Sequence, residues 1–562
     1  MTSAKTEPEA TSPTFAERVF ARADILALSV VLSVGAYKYF VIGRGLNFFY
    51  DEWDFILGRR DYSVNAFLES HGGHLVVVPV LIYKALLSTV GLGHYGPYRL
   101  VVLALHLLCV VLLFVFARRR VGGAVAVIAA TSLLFLGGAW QDLLWAFQIT
   151  YLGSLAAGLG AMLALERGDK RGDITAALLL GLSLSCSGLG VPFLGGASVY
   201  LLLKRRFWPR LWLIAIPALP YAIWYLYYGH GETSVSNASA APSYVFDSLV
   251  GAMGALSGHG ADNTARNLAL LGIAAAVLAV VLRRPWRSAL PFATVVLLFW
   301  VLTALSRAQL HEPAASRYLY PGAMMLLLVT AELLRGIRFP VVVVILLAGL
   351  VLHSSLNSLT TLHKGAAGLR YDDGIVAAEL AGVELEKGVV PASFRPDTVR
   401  APQVTAGPYL AAVREFGSPA MPLSLLTKQS PLARVEVDRV LVGAITPVLV
   451  SHRRTSIGGV APRIQGHGGG SLKRDAACVV FHPRVSKATP SFDLVIPPHG
   501  LVIRTESTVD IRILRFAEDY PQVPSATLAS GFSLLRPPLD AARESWRVRF
   551  APSSTTRVCT AQ

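Results

Sequence analysis

Apolar runs long enough to cross a lipid bilayer recur through the first 360 residues, and no soluble fold can bury so many. They lie at 25–42, 98–116, 121–136, 148–165, 174–185, 189–203, 211–227, 267–282, 288–305, 318–334 and 340–356. That is about eleven runs, several of them short of the ~20 residues a spanning helix needs. A mean hydropathy of +0.53, with 53% hydrophobic and only 15% charged residues, excludes a soluble chain of this length. The expected fold class is a polytopic α-helical membrane protein of about eleven transmembrane helices, followed by a β-rich extracytoplasmic domain.

The formal net charge of +16 would suggest a nucleic-acid partner in a soluble chain. Here the bases cluster between apolar runs, at Arg118, Arg119 and Arg120, at Arg167, Lys170 and Arg171, at Lys204, Arg205 and Arg206, at Arg283, Arg284 and Arg287, and at Arg335 and Arg338. They fall in alternate connections, which is the pattern that orients membrane proteins. No nucleic-acid partner is expected, and the partner is a lipid bilayer, that of the cell membrane. The N-terminus is then cytoplasmic, while 43–97, 137–147, 186–188, 228–266, 306–317 and everything beyond 357 face outward.

The polar segment 1–22 reads as a disordered cytoplasmic N-terminus, 23–360 as the transmembrane domain with its outer loop 43–97, and 361–562 as the extracytoplasmic domain. The first apolar run lacks a small-residue cleavage site and reads as an uncleaved anchor. Segments 75–87 and 244–256 are too short to cross and read as half-buried interfacial helices. Past Lys364 the composition turns polar. One helix is expected at 371–387, and strands at RVEVDRVLVGAITPVLVS, ACVVFHP, FDLVIPPHGLVIRT, VDIRILRF and SWRVRF, which alternate with period two and suit a sandwich. Cys109 and Cys186 lie in or beside apolar runs. Cys478 and Cys559 lie in the outer domain, where a bridge is chemically allowed.

The chemistry concentrates in the outer loops. NFFYDEWDFILGRRDYSVNAFLESHGGH places Asp51, Glu52 and Asp54 among aromatic residues directly after the first run. On a helix Asp51 and Asp54 share a face, with Trp53, Phe55 and Ile56 turned toward an apolar surface such as a bilayer. Carboxylates at a membrane edge suit proton transfer or cation binding, although solvated acids are their ordinary fate. His71 and His74 belong either to the same site or to a turn that caps the following helix. Asp142, in GGAWQDLLWAFQ, reads as the partner of the first-loop acids in a cation site or as a solvated acid in an aromatic belt. SRAQLHEPAASRYLYP brings Arg307, Arg317 and Tyr318 outward, against the positive-inside bias, where a guanidinium suits phosphate. No P-loop, dinucleotide fingerprint, HExxH, paired CxxC or serine elbow is present, so a nucleotide-driven pump or zinc protease has no support.

With YDEWD after the first span, Asp142 in the second outer loop, SRYLYP opening a late span and an outer C-terminal domain, the layout resembles the GT-C superfamily of membrane glycosyltransferases. The β-rich tail is similar in composition and position to carbohydrate-binding-like modules of actinobacterial arabinosyl- and mannosyltransferases. The resemblance implies an inverting transfer of a hexosyl or pentosyl unit from a polyprenyl-phosphate sugar to a glycan, lipid or protein acceptor of the cell envelope. It implies Asp51 as the base, with Glu52 or Asp54 as alternates. Arg317, with Tyr318, His71 and His74, would hold the donor phosphate. Asp142 with Asp51 would be the ligands of Mg²⁺ or Mn²⁺, but the spacing is DExD where some relatives have DxD, which leaves metal dependence open. The alternative is a transporter or flippase of lipid-linked glycans. For that reading the mid-span ionisable groups Lys38, His106 and Glu332 are few and without obvious partners. A glycan-binding module on an inert anchor would not need about eleven spans.

Overall fold

The computed structural model describes residues 22–204, 207–229, 233–283, 286–451, 456–484, 489–518, 523 and 525–562. The stretch 1–21, expected to be disordered, lies outside the described residues. The helices in chain order are α1 (Ala23–Ile42), α2 (Val64–Leu68), α3 (Val77–Val90), α4 (Gly96–Val121), α5 (Gly123–Leu134), α6 (Trp140–Leu144), α7 (Ile149–Leu165), α8 (Lys170–Cys186), α9 (Gly190–Leu203), α10 (Leu211–Tyr228), α11 (Ala241–Ser257), α12 (Asn263–Arg283), α13 (Trp286–Arg307), α14 (Ser316–Leu333), α15 (Val341–Leu385), α16 (Ala406–Phe416), α17 (Leu423–Leu426) and α18 (Pro431–Leu449). Two compact units emerge. The first comprises Met1–Arg44, Asp61–Tyr83 and Gly96–Ala367, and the second Gly45–Arg60, Lys84–Tyr95 and Gly368–Gln562. The acidic stretch of the first outer loop therefore groups with the second unit rather than with the helical body, a division that 23–360 and 361–562 did not anticipate.

The chain is a multi-pass helical membrane protein. All eleven apolar runs form helices, and eight helical segments among the described residues are long and apolar enough to cross a membrane. The expected eleven are thus too many by this measure. Helix α9 has 14 residues, about 21 Å at ~1.5 Å per residue against a hydrocarbon core of ~30 Å. Helix α8 has 17 residues and carries Lys170, Arg171 and Asp173 in its first turn. Helix α14 has 18 residues and carries Arg317 and Glu332. Helices in lipid gain little from hydrophobicity between themselves and pack through small residues and hydrogen bonds. Accordingly α7 and α8 meet where the Ser154 and Ser183 hydroxyls each donate to the other's carbonyl, at 2.9 and 2.8 Å.

Two mid-span groups read as unpartnered are in fact paired. The Glu332 carboxylate accepts from Arg120 Nε at 2.6 Å, both side chains 2% exposed, while Arg120 also pairs with Glu166 and lies 3.4 Å from the Phe116 ring centre. One arginine of the orienting triplet is therefore a buried clamp joining α4, α7 and α14. His106 Nδ1 bonds the Tyr320 hydroxyl at 2.8 Å, and its Nε2 faces the Leu134 carbonyl at 3.2 Å. Lys38 is exposed.

The helix expected at 371–387 is present, but as the end of helix α15, which runs unbroken through 45 residues with no proline to stop it. At ~1.5 Å per residue it is about 68 Å long, more than twice the ~30 Å of a hydrocarbon core, so its later turns stand clear of lipid. RVEVDRVLVGAITPVLVS forms helix α18, not a strand, apart from its last two residues. Its valines alternate, but Ala433, Val437, Leu441 and Ala444 also repeat at helical spacing and are buried. Pro431 occupies the first position, and Ser430 Oγ accepts the Ala433 amide at 3.3 Å. A serine cap followed by proline starts a helix and overrides the β-branched preference for strand.

The remaining segments form the expected sandwich. One sheet has the order β1 (Val450–Ser451), β9 (Gly531–Leu535), β6 (Leu501–Thr505), β11 (Thr556–Thr560), β4 (Cys478–Pro483), β3 (Gly470–Asp475). The other has β2 (Ile464–Gly468), β5 (Ser491–Val495), β10 (Arg547–Pro552), β7 (Val509–Leu514), β8 (Ser525–Leu528). Every pairing is antiparallel. Inward positions of both sheets share one core, where Phe481 stacks on Phe492 at 4.8 Å and Phe492 on Phe550 at 4.7 Å. Ile375 and Ala378 of α15 and Val437 and Leu441 of α18 pack into the same core. Cys478 and Cys559 are bridged across the β4–β11 pair.

Candidate functional site

In the second unit the YDEWD stretch is a strained turn, not a surface helix. Tyr50 takes φ +47°, a region non-glycine residues rarely occupy and one that strain at functional sites often uses. A short π-helical turn, Asp54–Gly58, follows. Trp53, Phe55 and Ile56 do not face a bilayer surface. They are buried at 0–1% exposure, and the Trp53 ring meets those of Phe48 at 5.9 Å and Tyr409 at 6.0 Å. The three acids differ in role. Glu52 is fully buried, and its Oε2 accepts the Phe49 amide at 2.9 Å and the Tyr95 hydroxyl at 3.2 Å, which braces the turn as the glutamate of a capping box does. Asp54 accepts Arg59 Nε at 2.9 Å. Asp51 is half-buried.

Asn47 anchors the start of this turn. Its amide donates to Asp373 Oδ2 and its side-chain nitrogen to the Pro419 carbonyl, both at 2.7 Å. Asp373 stands on the later turns of α15, and burial pushes its carboxyl up to about 8, against the pull of the Asn47 amide and Arg370. Sequence reading missed this residue because it lies more than 300 positions from the turn it holds.

In the helical unit His71 and His74 flank a two-residue hairpin turn. Each backbone amide donates to the other's carbonyl, at 3.0 and 2.9 Å. Gly72 and Gly73 have φ +55° and +79°, the pair of positive values that such a turn demands and that glycine supplies. The imidazoles diverge in use: His71 lies against Phe147 at 5.1 Å, and His74 faces Tyr151 at 6.4 Å. Gly188 permits this, since a Cβ there would sit 2.6 Å from His74 Nδ1. Burial, with the nearby Arg307 and His71 charges, lowers the His74 pKa to about 4, so its ring is neutral near pH 7.

His74 lines a cavity of about 300 Å³ together with Tyr151, Tyr221, Tyr225, Arg307 and Tyr318. Of the residues assigned to phosphate from the sequence, His74 and Tyr318 line this cavity; Arg307 contributes the guanidinium. Arg317 lies beside it, its guanidinium 5.1 Å from the Tyr318 ring centre and 3.9 Å from Glu312. Tyr151, Tyr221 and Tyr225 escaped sequence reading because each sits inside an apolar run, where it reads as core or interface belt.

The second outer loop and the SRYLYP segment do meet. Ser316 Oγ donates to the Gly138 carbonyl at 2.8 Å and accepts the Gln141 amide at 3.1 Å, and Gln141 Oε1 accepts the Arg317 amide at 3.2 Å. Next to Gln141, Asp142 is fully buried, and neither carboxylate oxygen has a hydrogen-bond partner among the described residues. Its expectation as a solvated acid fails. Among the described residues no group of three or more His, Cys, Asp or Glu side chains is placed to hold a metal ion.

No family model and no curated protein matches this chain. Solved structures similar to it include ArnT from Cupriavidus metallidurans bound to undecaprenyl phosphate, at 15% identity and TM-score 0.42, covering 66% of this chain and 82% of that one. The apo state of the same protein gives 15% identity and TM-score 0.43, over 67% and 82%. The arabinofuranosyltransferase AftD from Mycobacteria gives 11% identity and TM-score 0.39, over 95% of this chain and 58% of its own. Superpositions this loose do not assign the chain to a family.

Proposed function

We propose that the protein is a membrane glycosyltransferase of the GT-C type that takes its sugar from a polyprenyl-phosphate donor on the outer face of the membrane. The observation that carries this reading is the cavity of the helical unit, where one guanidinium, that of Arg307, stands among tyrosines and a neutral histidine. Such a pocket offers an anion a charge, hydroxyl donors and apolar walls in a setting where donors aimed at a leaving phosphate count most. Arg317, beside Tyr318, serves the same phosphate from outside the lining.

The acceptor hydroxyl attacks the anomeric carbon on the face opposite the phosphate. Its oxygen bonds to that carbon, the bond to the phosphate oxygen breaks with its electron pair staying on phosphate, and the hydroxyl proton passes to a carboxylate. We assign that base to Asp51, with Glu52 or Asp54 as alternates. The acceptor is a glycan, lipid or protein of the envelope. No step is routed through Mg²⁺ or Mn²⁺.

Purified protein incubated with a panel of radiolabelled polyprenyl-phosphate sugars, with and without Mg²⁺ or Mn²⁺, tests the proposal. Consumption of one donor by the wild type, lost in Arg307→Ala, is the expected result. If no donor is consumed while proteoliposomes move fluorescent lipid-linked glycans between leaflets, the protein is a flippase instead.

A further inference from the structure

The outward face of the six-stranded sheet carries a basic row that the proposed transfer does not use. Lys473, Val480, Arg557, Arg504 and Phe532 stand in cross-strand register on β3, β4, β11, β6 and β9. With strands ~4.8 Å apart the row is about 19 Å long. Arg557 lies directly opposite Arg504, a placement that costs stability because like charges on neighbouring strands repel. The sheet only partly offsets this. Asp475 pairs with Arg557 at 2.9 Å, both about half exposed, and the Arg504 guanidinium sits 5.4 Å from the Phe532 ring centre. Among the described residues neither Lys473 nor Arg504 has a carboxylate partner. The row is also held rigid, because the Cys478–Cys559 bridge ties β4 to β11 two residues along from Val480 and Arg557.

We infer that this face binds an acidic glycan, a linear chain carrying carboxylate or phosphate groups at intervals that meet Lys473 at one end and the Arg557–Arg504 pair at the other. Charge complementarity selects the anion, since an anionic group between two arginines removes the repulsion the sheet otherwise carries. A membrane surface fits less well. Basic surfaces that enter lipid carry several large apolar anchors beside their charges. This row has one exposed ring, Phe532, already engaged by Arg504, and Val480 is half-buried. His482, two residues beyond Val480, instead meets the Thr555 hydroxyl at 3.2 Å, continuing a surface of hydrogen-bonding groups. The choice of a glycan rests on the transferase reading; the recognition of an anion does not.

The test is fluorescence anisotropy with full-length protein in nanodiscs of neutral lipid, using labelled oligogalacturonate, a glycerol-phosphate polymer and, as the neutral control, dextran of similar length. One of the two acidic probes is expected to bind, with affinity falling as salt screens the charges. The double variant K473Q/R504Q should bind about tenfold more weakly, a loss of ~1.4 kcal/mol. Arg512→Gln, on the other sheet, should change nothing. Asp51→Asn should bind as wild type does, which separates a failure here from a failure of the transfer chemistry. Equal binding of dextran, no binding of either acidic probe, or indifference to K473Q/R504Q overturns the inference. So does capture of anionic phospholipid vesicles through these residues in place of the polymers.

Discussion

Two groups of acids that look alike in sequence are used in opposite ways. In the second unit, Glu52 and Asp54 have their oxygens taken up by the Phe49 amide, the Tyr95 hydroxyl and Arg59, while Asp51 of the same turn stays half-buried. In the helical unit, Asp142 is as enclosed as Glu52, yet both its oxygens lack a hydrogen-bond partner among the described residues. Burying a carboxylate without partners is costly, whereas burying one that satisfies local donors stabilises the turn it closes. The difference teaches that acidity near a membrane edge does not itself mark chemistry.

The sharpest way to break this comparison is at Asp51. Asp51→Asn should lower transfer by about 100- to 10,000-fold, the range a general base contributes, with the protein still inserted and folded. Radiolabelled-donor turnover and a melting curve read the two quantities separately, and wild-type turnover in this variant removes Asp51 from the base role.

A second test uses pH, because the two units bury titratable groups of opposite sign. The folded pKa of His74 lies near 4, below its ordinary 6.5. The unfolded chain therefore binds the extra proton between these values, so stability from this group is complete above about 6.5 and is lost as pH falls toward 4. The loss is on the order of 3 kcal/mol. Asp373 runs the other way. Its folded pKa is near 8, so the folded form keeps a proton that the unfolded form has lost, and stability declines as pH rises from about 4 to 8. His74→Gln should flatten the acid side of a pH–stability profile and Asp373→Asn the alkaline side. If both variants keep the wild-type profile, burial is not what sets these groups.

The third test concerns the cavity. Arg307→Lys keeps the charge but removes the planar fork that grips phosphate bidentately. It should raise the KM for a polyprenyl-phosphate donor by about tenfold, a loss of ~1.4 kcal/mol, and leave the KM for the acceptor unchanged. An equal rise for both substrates assigns Arg307 to general architecture.

How much of this was legible depends on the range over which each signal acts. Spanning helices announce themselves locally, and every apolar run of the sequence is helical; what local reading overcounts is length, since α9 and α14 are apolar without being long or uncharged enough. The sandwich strands were visible for the same reason, in their alternation. Where two periods coincide, as in Val435, Val437, Val440 and Val442, alternation misleads, and the deciding residues, Ser430 and Pro431, lie just before the pattern. The site was legible as residue types but not as assignments. Nothing local says that Asn47 leans on Asp373, that Arg120 closes on Glu332, or that Arg307 rather than Arg317 lines the cavity, because each depends on residues distant in the chain.

The smallest expected effect makes the finest distinction within the acidic turn. Glu52→Gln preserves size and one acceptor oxygen but removes the charge that strengthens the bonds from the Phe49 amide and the Tyr95 hydroxyl. Charged acceptors are worth about 1.5–3 kcal/mol per hydrogen bond against roughly 1 for neutral ones, so the variant should lose about 1 kcal/mol of stability. Turnover at a temperature well below the melting midpoint should remain that of the wild type, because a brace need not be ionised to hold Asp51 in place. Tyr95→Phe removes one of the same bonds from the other side, and combining it with Glu52→Gln should cost less than the sum of the two single losses, as expected for partners in one network. If Glu52→Gln instead abolishes turnover without lowering stability, the catalytic carboxylate is Glu52, and enclosure of an acid in this turn signals chemistry rather than support.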